Sequence, residues 1–163
     1  MSEDAVKDVL TFDPSVDVLL EETEAVLSDP TLTTTERHVL TRARLGQGIF
    51  TEEVRRIIEP VRRLTGLSEP RHLIASHMKP WAKSNNVERL DGNNGLLLSP
   101  HVDHLFDRGL ITFTKAGRVV VSDQLNAAIP TPWKLDLDQH GHSFHRGQLP
   151  YLEYHQDQVF RSA

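Results

Sequence analysis

Two short apolar runs and a proline-led helix, all within residues 71–113, constrain this chain more than any other feature. Leu73-Ile74-Ala75 reads as a strand over 72–76 that His77 closes. A turn-forming Asp91-Gly92-Asn93 leads to Asn94, which opens a second apolar run, Gly95-Leu96-Leu97-Leu98. Pro100 then starts a helix over 100–107 that carries Asp103 and Asp107 four residues apart, hence on one face. Strand, strand and helix in this order draw His77, Asn94, Asp103 and Asp107 towards one small site. Their spacings suit a single metal ion.

These residues sit inside longer motifs. They are Ala75-Ser76-His77-Met78-Lys79-Pro80-Trp81, Asn94-Gly95-Leu96-Leu97-Leu98 and Phe106-Asp107-Arg108-Gly109. In this order they resemble the HNH endonucleases of the ββα-metal nuclease superfamily. The likeness is to the subgroup with an Ala-Ser-His-x-Lys-Pro-Trp first motif and an Asn-Gly-Leu-Leu-Leu…Phe-Asp-Arg-Gly second motif. It extends to Arg44-Leu45-Gly46-Gln47-Gly48-Ile49-Phe50 before these motifs and Tyr151-Leu152-Glu153-Tyr154-His155 after them, covering roughly residues 40 to 160. The order of several motifs makes the match specific, not the rarity of any one.

The resemblance implies an α+β fold. N-terminal helices precede a ββα-metal nuclease core, and a C-terminal hairpin and helix follow. Residues 1–35 are expected to form an acidic arm with one helix over 15–27, and residues 36–163 the nuclease domain. Thr33-Thr34-Thr35-Glu36 offers an N-cap for a helix to about Arg44, Gly46-Gln47-Gly48 interrupts, and Thr51-Glu52-Glu53-Val54 caps another. Leu110–Thr114 and Arg118–Ser122 flank Lys115-Ala116-Gly117 as a short-loop hairpin. Residues 123–149 read as an irregular wrap, and a last helix spans about Pro150 to Phe160.

By the same resemblance His77 is the general base, since a neutral imidazole can deprotonate an attacking water near pH 7. Asn94 fixes the loop between the strands and orients that base. Asp103 occupies the family's metal-ligand slot, and Asp107 follows one helical turn later. Two carboxylates with no thiolate favour Mg2+ or Mn2+ over Zn2+. Lys79 and Arg108 suit phosphate contacts, or equally surface salt bridges. Two positions depart from the family's pattern. Ser76 stands where an Asp or His often supplies a further ligand, and Arg62 stands where a structural Cys often sits. Trp81 is expected in the core. His101 and His104 flank the carboxylate face, and His104 could replace Asp107 beside the metal. The loop histidines His140, His142 and His145 are read as solvated, with zinc binding the lesser alternative.

Composition limits the partners. The chain has 163 residues, no cysteine and a mean hydropathy of -0.38. Disulfides and thiolate zinc sites are therefore excluded, and the absence of a signal-like apolar segment at the acidic N-terminus fits a cytoplasmic protein. The net charge of -5 looks wrong for a nucleic-acid binder. Residues 1–35, however, hold nine acids and one lysine, which leaves +3 on the rest. Arg37, Arg42, Arg44, Arg55, Arg56, Arg62 and Arg63 cluster just ahead of the core, as a DNA-tracking surface or as the solvated face of helices. The expected activity is metal-dependent cleavage of DNA, of restriction or defence type, with RNA an open alternative. A homodimer or a partner protein would supply specificity. The alternative is a catalytically weak HNH-like module that binds nucleic acid or a partner protein.

Overall fold

A computed structural model describes residues 24, 27–31, 33–58, 72–126, 133, 135–138 and 141–162. The chain divides into two compact units, Met1–Ile49 and Phe50–Ala163. The expected helix over 15–27 lies outside the described residues except for helical residues at 24 and 27. The arginines at 62 and 63 and His140 also lie outside them.

The first described element is α1, Thr34–Ile57, a single helix of 24 residues. Gly46 and Gly48 do not interrupt it, contrary to the sequence expectation. Each glycine costs about 1 kcal/mol relative to alanine within a helix. That sum is too small to break a helix flanked by good helix formers and free of proline until residue 60. In its last turns Arg55 pairs with Glu52 at 3.4 Å and Arg56 with Glu53 at 2.5 Å, three residues apart on the helix surface. Arg56 is thus engaged as a solvated helix face would have it, whereas the Arg55 side chain is only 19% exposed.

In the unit Phe50–Ala163, β1 (Ile74–His77) pairs antiparallel with β2 (Gly95–Leu98), with His77 opposite Gly95 and Ile74 opposite Leu98. Helix α2 (Pro100–Asp107) follows at once, with Pro100 at its start. A second antiparallel pair, β3 (Ile111–Phe113) and β4 (Val119–Val121), forms the expected hairpin. The closing helix α3 (Leu149–Tyr154) runs on as a π-helical turn, His155–Val159. The described parts of 123–148 contain no helix or strand. The architecture is α+β, with both sheets small and antiparallel.

Alternation along the strands sorts the core into two layers. Leu73, Ala75 and Leu97 pack with Phe50, Val54 and Ile58 of the α1 end. Leu96 and Leu98 face the other way, onto Val102, Leu105, Phe106, Ile111, Phe113 and Leu152. Each fully buried Leu or Phe contributes roughly 1.5–3 kcal/mol of transfer free energy. β2 is therefore buried on both faces, which is why it reads as an unbroken apolar run. Gly95 is required here. A Cβ on it would stand 2.1 Å from Val54 Cγ2 and 3.0 Å from Phe50 Cζ.

His155 ties the closing helix to this core. It is 1% exposed, stacks on Phe106 at 3.7 Å between ring centroids, and has both nitrogens engaged. Nε2 donates to the Phe106 carbonyl at 3.0 Å, so Nδ1 accepts from the Thr112 hydroxyl at 2.9 Å. Burial pushes its pKa down to about 4. The neutral ring is favoured in the fold, so stability is full above the unfolded value near 6.5. It is lost as pH falls from there towards 4, by about 3 kcal/mol in total. Urea unfolding at pH 7.5 and 4.5 should show this loss, and His155→Gln should remove most of it.

Helix α2 ends in a Schellman turn. The Leu110 N–H reaches the Leu105 carbonyl and the Gly109 N–H reaches that of Phe106, both at 2.9 Å. Gly109 has φ 69°, and a Cβ there would lie 2.0 Å from the Val159 carbonyl oxygen. Gly109→Ala should cost at least about 1–2 kcal/mol from the left-handed backbone alone, read as a lowered midpoint in thermal or urea unfolding.

Candidate active site

The connection from β1 to β2, residues 78–94, is organised by one side chain. Asn94 is fully buried. Its Oδ1 accepts the Lys79 N–H at 2.8 Å, and its Nδ2 donates to the carbonyls of Lys79 at 3.2 Å and Glu88 at 3.1 Å. An amide has one acceptor and two donors to offer, and here both ends of the loop use them. Asn94 also heads β2, following a 3-10 turn, Gly92–Asn94, capped by Asp91. Tyr151 of α3 donates to the other Asp91 oxygen at 2.8 Å. Burial and that hydrogen bond hold the Tyr151 hydroxyl well above its usual range, so it stays a donor.

His77 ends β1 on the face turned to α1. Its ring lies flat on Phe50, with centroids 3.5 Å apart and planes within 12°, and meets Trp81 edge-on at 5.7 Å. Gly95, its cross-strand partner, leaves room for Phe50 to approach. Nε2 lies 3.0 Å from the Arg89 carbonyl. A carbonyl only accepts, so Nε2 carries the proton and Nδ1 of the neutral ring holds a lone pair. No described residue bonds Nδ1. Burial lowers the pKa of His77, with the bond to Arg89 opposing, so the ring is neutral at pH 7.

The carboxylates lie on the opposite face. Ser76 points across to α2, and its hydroxyl donates to Asp107 Oδ1 at 3.3 Å and also serves Asp103. Burial raises the pKa of both carboxyls, and the Asp103 charge raises that of Asp107 further. Among the described residues no lysine or arginine pairs with either, and His104 lies nearby. Two acids that repel each other, Asp103 half-buried and Asp107 exposed, fit a hard divalent cation, which would remove the repulsion. The protein's share would be two carboxylates.

The contacts of the expected site residues run to two sides of β1. Among the described residues no three His, Cys, Asp or Glu side chains group so as to hold a metal. The strand separates them: Ser76 joins Asp103 and Asp107 on one face, while His77 stands on the other. Asn94 belongs to the loop clamp. Lys79 bonds both Glu88 oxygens at 2.7 Å, with the pair about four-fifths buried, and lies over the Tyr154 ring. It is committed to the loop, so of the two readings of Lys79 the geometry matches the salt bridge. Its hydrogen bonds also hold the Glu88 carboxyl below its usual range. Arg108 is exposed at the end of α2. Trp81 is not core. It is half-buried, with its ring beneath the Arg89 guanidinium. His101 and His104 meet Trp133 edge-on at 5.8 and 6.2 Å. His142 and His145 are exposed. Sequence reasoning missed Phe50 and Arg89, since their contacts with His77 depend on tertiary placement. It noted Ser76 only as a missing ligand, although its place beside His77 on a strand already put it on the other face.

No curated protein matches the chain. A family model described as HNH endonuclease matches residues 62–114, the stretch that contains β1, the Asn94 loop, β2, α2 and β3. Residues 62–114 are thus similar to the HNH endonucleases.

Proposed function

We propose that this chain is a metal-dependent endonuclease that hydrolyses DNA phosphodiester bonds, of the restriction or defence type. The observation that carries the reading is an imidazole bonded through Nε2 to a carbonyl, with no described residue on Nδ1, next in sequence to a serine that bonds Asp107 beside Asp103. His77 would take the proton of the attacking water at Nδ1, and its bond to Arg89 fixes which nitrogen is basic. Asp103 and Asp107 would hold Mg2+ or Mn2+, with Ser76 steadying Asp107. The ion, when bound, would polarise the phosphate and stabilise the leaving oxygen. Arg108, exposed beside the carboxylates, would contact a flanking phosphate.

Plasmid nicking by the purified chain tests this. EDTA should stop cleavage, and Mg2+ or Mn2+ should restore it. His77→Ala should lower the rate by at least about 100-fold, the usual scale of general-base catalysis, with DNA binding and melting temperature retained. Cleavage by that variant at the wild-type rate would sink the base assignment. Binding without any metal-dependent cleavage would favour a nucleic-acid-binding module instead. The acid limb of the pH–rate profile should lie below 6.5, since His77 must be neutral and burial lowers its pKa.

A second test separates function from fold. The raised pKa values of Asp103 and Asp107 mean that their ionised forms cost stability at neutral pH, and that stability is regained as pH falls through the folded values. Asp107→Asn should therefore raise the melting temperature in EDTA, by roughly 1–3 °C because solvent screens the exposed group. It should also abolish the further rise that millimolar Mn2+ gives the wild type. A lower melting temperature in EDTA would show that the pair is structural.

A further inference from the structure

Arg89 lies half-buried in the loop between β1 and β2, and two of its contacts lead to His77. Its carbonyl is the acceptor for His77 Nε2 at 3.0 Å. Its Nε donates to the Trp81 carbonyl at 3.1 Å and its Nη1 to Asn86 Oδ1 at 3.2 Å. The guanidinium sits 5.1 Å from the centroid of the Trp81 ring, the same ring that meets His77 edge-on. On the main chain, the Arg89 N–H is bonded to the Asn85 carbonyl at 3.0 Å. The Leu90 N–H, which shares a peptide plane with the Arg89 carbonyl, is bonded to Val87 O at 3.1 Å.

A carbonyl on a surface turn is free to tilt by tens of degrees unless the planes beside it are fixed. Here one plane is fixed by the turn and the side chain is fixed on Trp81. A guanidinium suits the second task because its planar fork can bond a carbonyl and lie against an indole at once. We propose that Arg89 is a positioning residue: its side chain, clamped on Trp81, aims its own carbonyl at His77 Nε2 and so leaves Nδ1 as the basic atom. The Arg89 side chain bonds Trp81 and Asn86, not His77. The catalytic consequence rests on His77 being the base. The clamp itself does not.

The experiment uses the full chain with 15N-labelled histidine, in EDTA and without DNA. The wild type should show a His77 Nε2–H proton that exchanges slowly with water. Arg89→Ala should make that exchange at least about tenfold faster with the fold retained, since loss of the bond exposes the proton to solvent. Arg89→Lys keeps a cation over Trp81 without the fork and should fall between the two. In cleavage, kcat of Arg89→Ala should drop roughly 10- to 100-fold, the usual cost of a misplaced catalytic group, with KM for a short duplex changed less than about threefold. Unchanged exchange in both variants overturns the clamp. So does a raised KM with kcat preserved, the pattern of a direct phosphate contact. If Arg89→Ala fails to fold, the exchange rate in Arg89→Lys decides the matter. If His77→Ala still cleaves DNA, the base assignment falls, and the exchange measurement still tests the clamp.

Discussion

The amide of Asn94 joins positions 79, 88 and 94 through hydrogen bonds made in full burial. Much of the site's geometry follows from that. It closes a loop whose entropy cost would otherwise oppose the pairing of β1 with β2. It also sets the path of residues 85–90, and through them the carbonyl that meets His77. An unsatisfied amide at this depth would cost about 1–3 kcal/mol per lost partner, so the loop and the residue are mutually dependent. Aspartate in its place could accept from Lys79 but could not donate to either carbonyl. The asymmetric chemistry of an amide is what the position uses.

Electrostatics divides the module into a satisfied half and an unsatisfied one. On the loop side Lys79 meets Glu88, Tyr151 meets Asp91, and His77 meets a carbonyl. On the α2 side two acids face each other with only a hydroxyl between them and a histidine close by. Under the nuclease reading, the pair is a site held ready for positive charge.

Much of this was legible in the sequence, for identifiable reasons. The β2 run and the proline at 100 mark their elements to the residue, because burial on both faces and a fixed φ leave little choice. The hairpin and the closing helix follow from turn chemistry and periodicity. The glycines at 46 and 48 misled, since a pair of weak helix formers yields to a long helical context. How His77 sits relative to the carboxylates was less legible, for a different reason. Linear spacing gives proximity but not the face of a strand, and that parity puts Ser76, not His77, against α2. Trp81 shows the same limit. Its hydrophobicity says nothing of the guanidinium that covers it.

That parity bears on how a polymer could reach both halves of the site. Consecutive residues of β1 serve opposite faces, so the strand's own backbone stands between base and carboxylates. Beyond His77 the two chains stay joined by one more bond, from the Met78 N–H to the Asn94 carbonyl at 2.9 Å, before the loop begins. Under the nuclease reading, one bond of the substrate would therefore have to be served from two faces of a single strand.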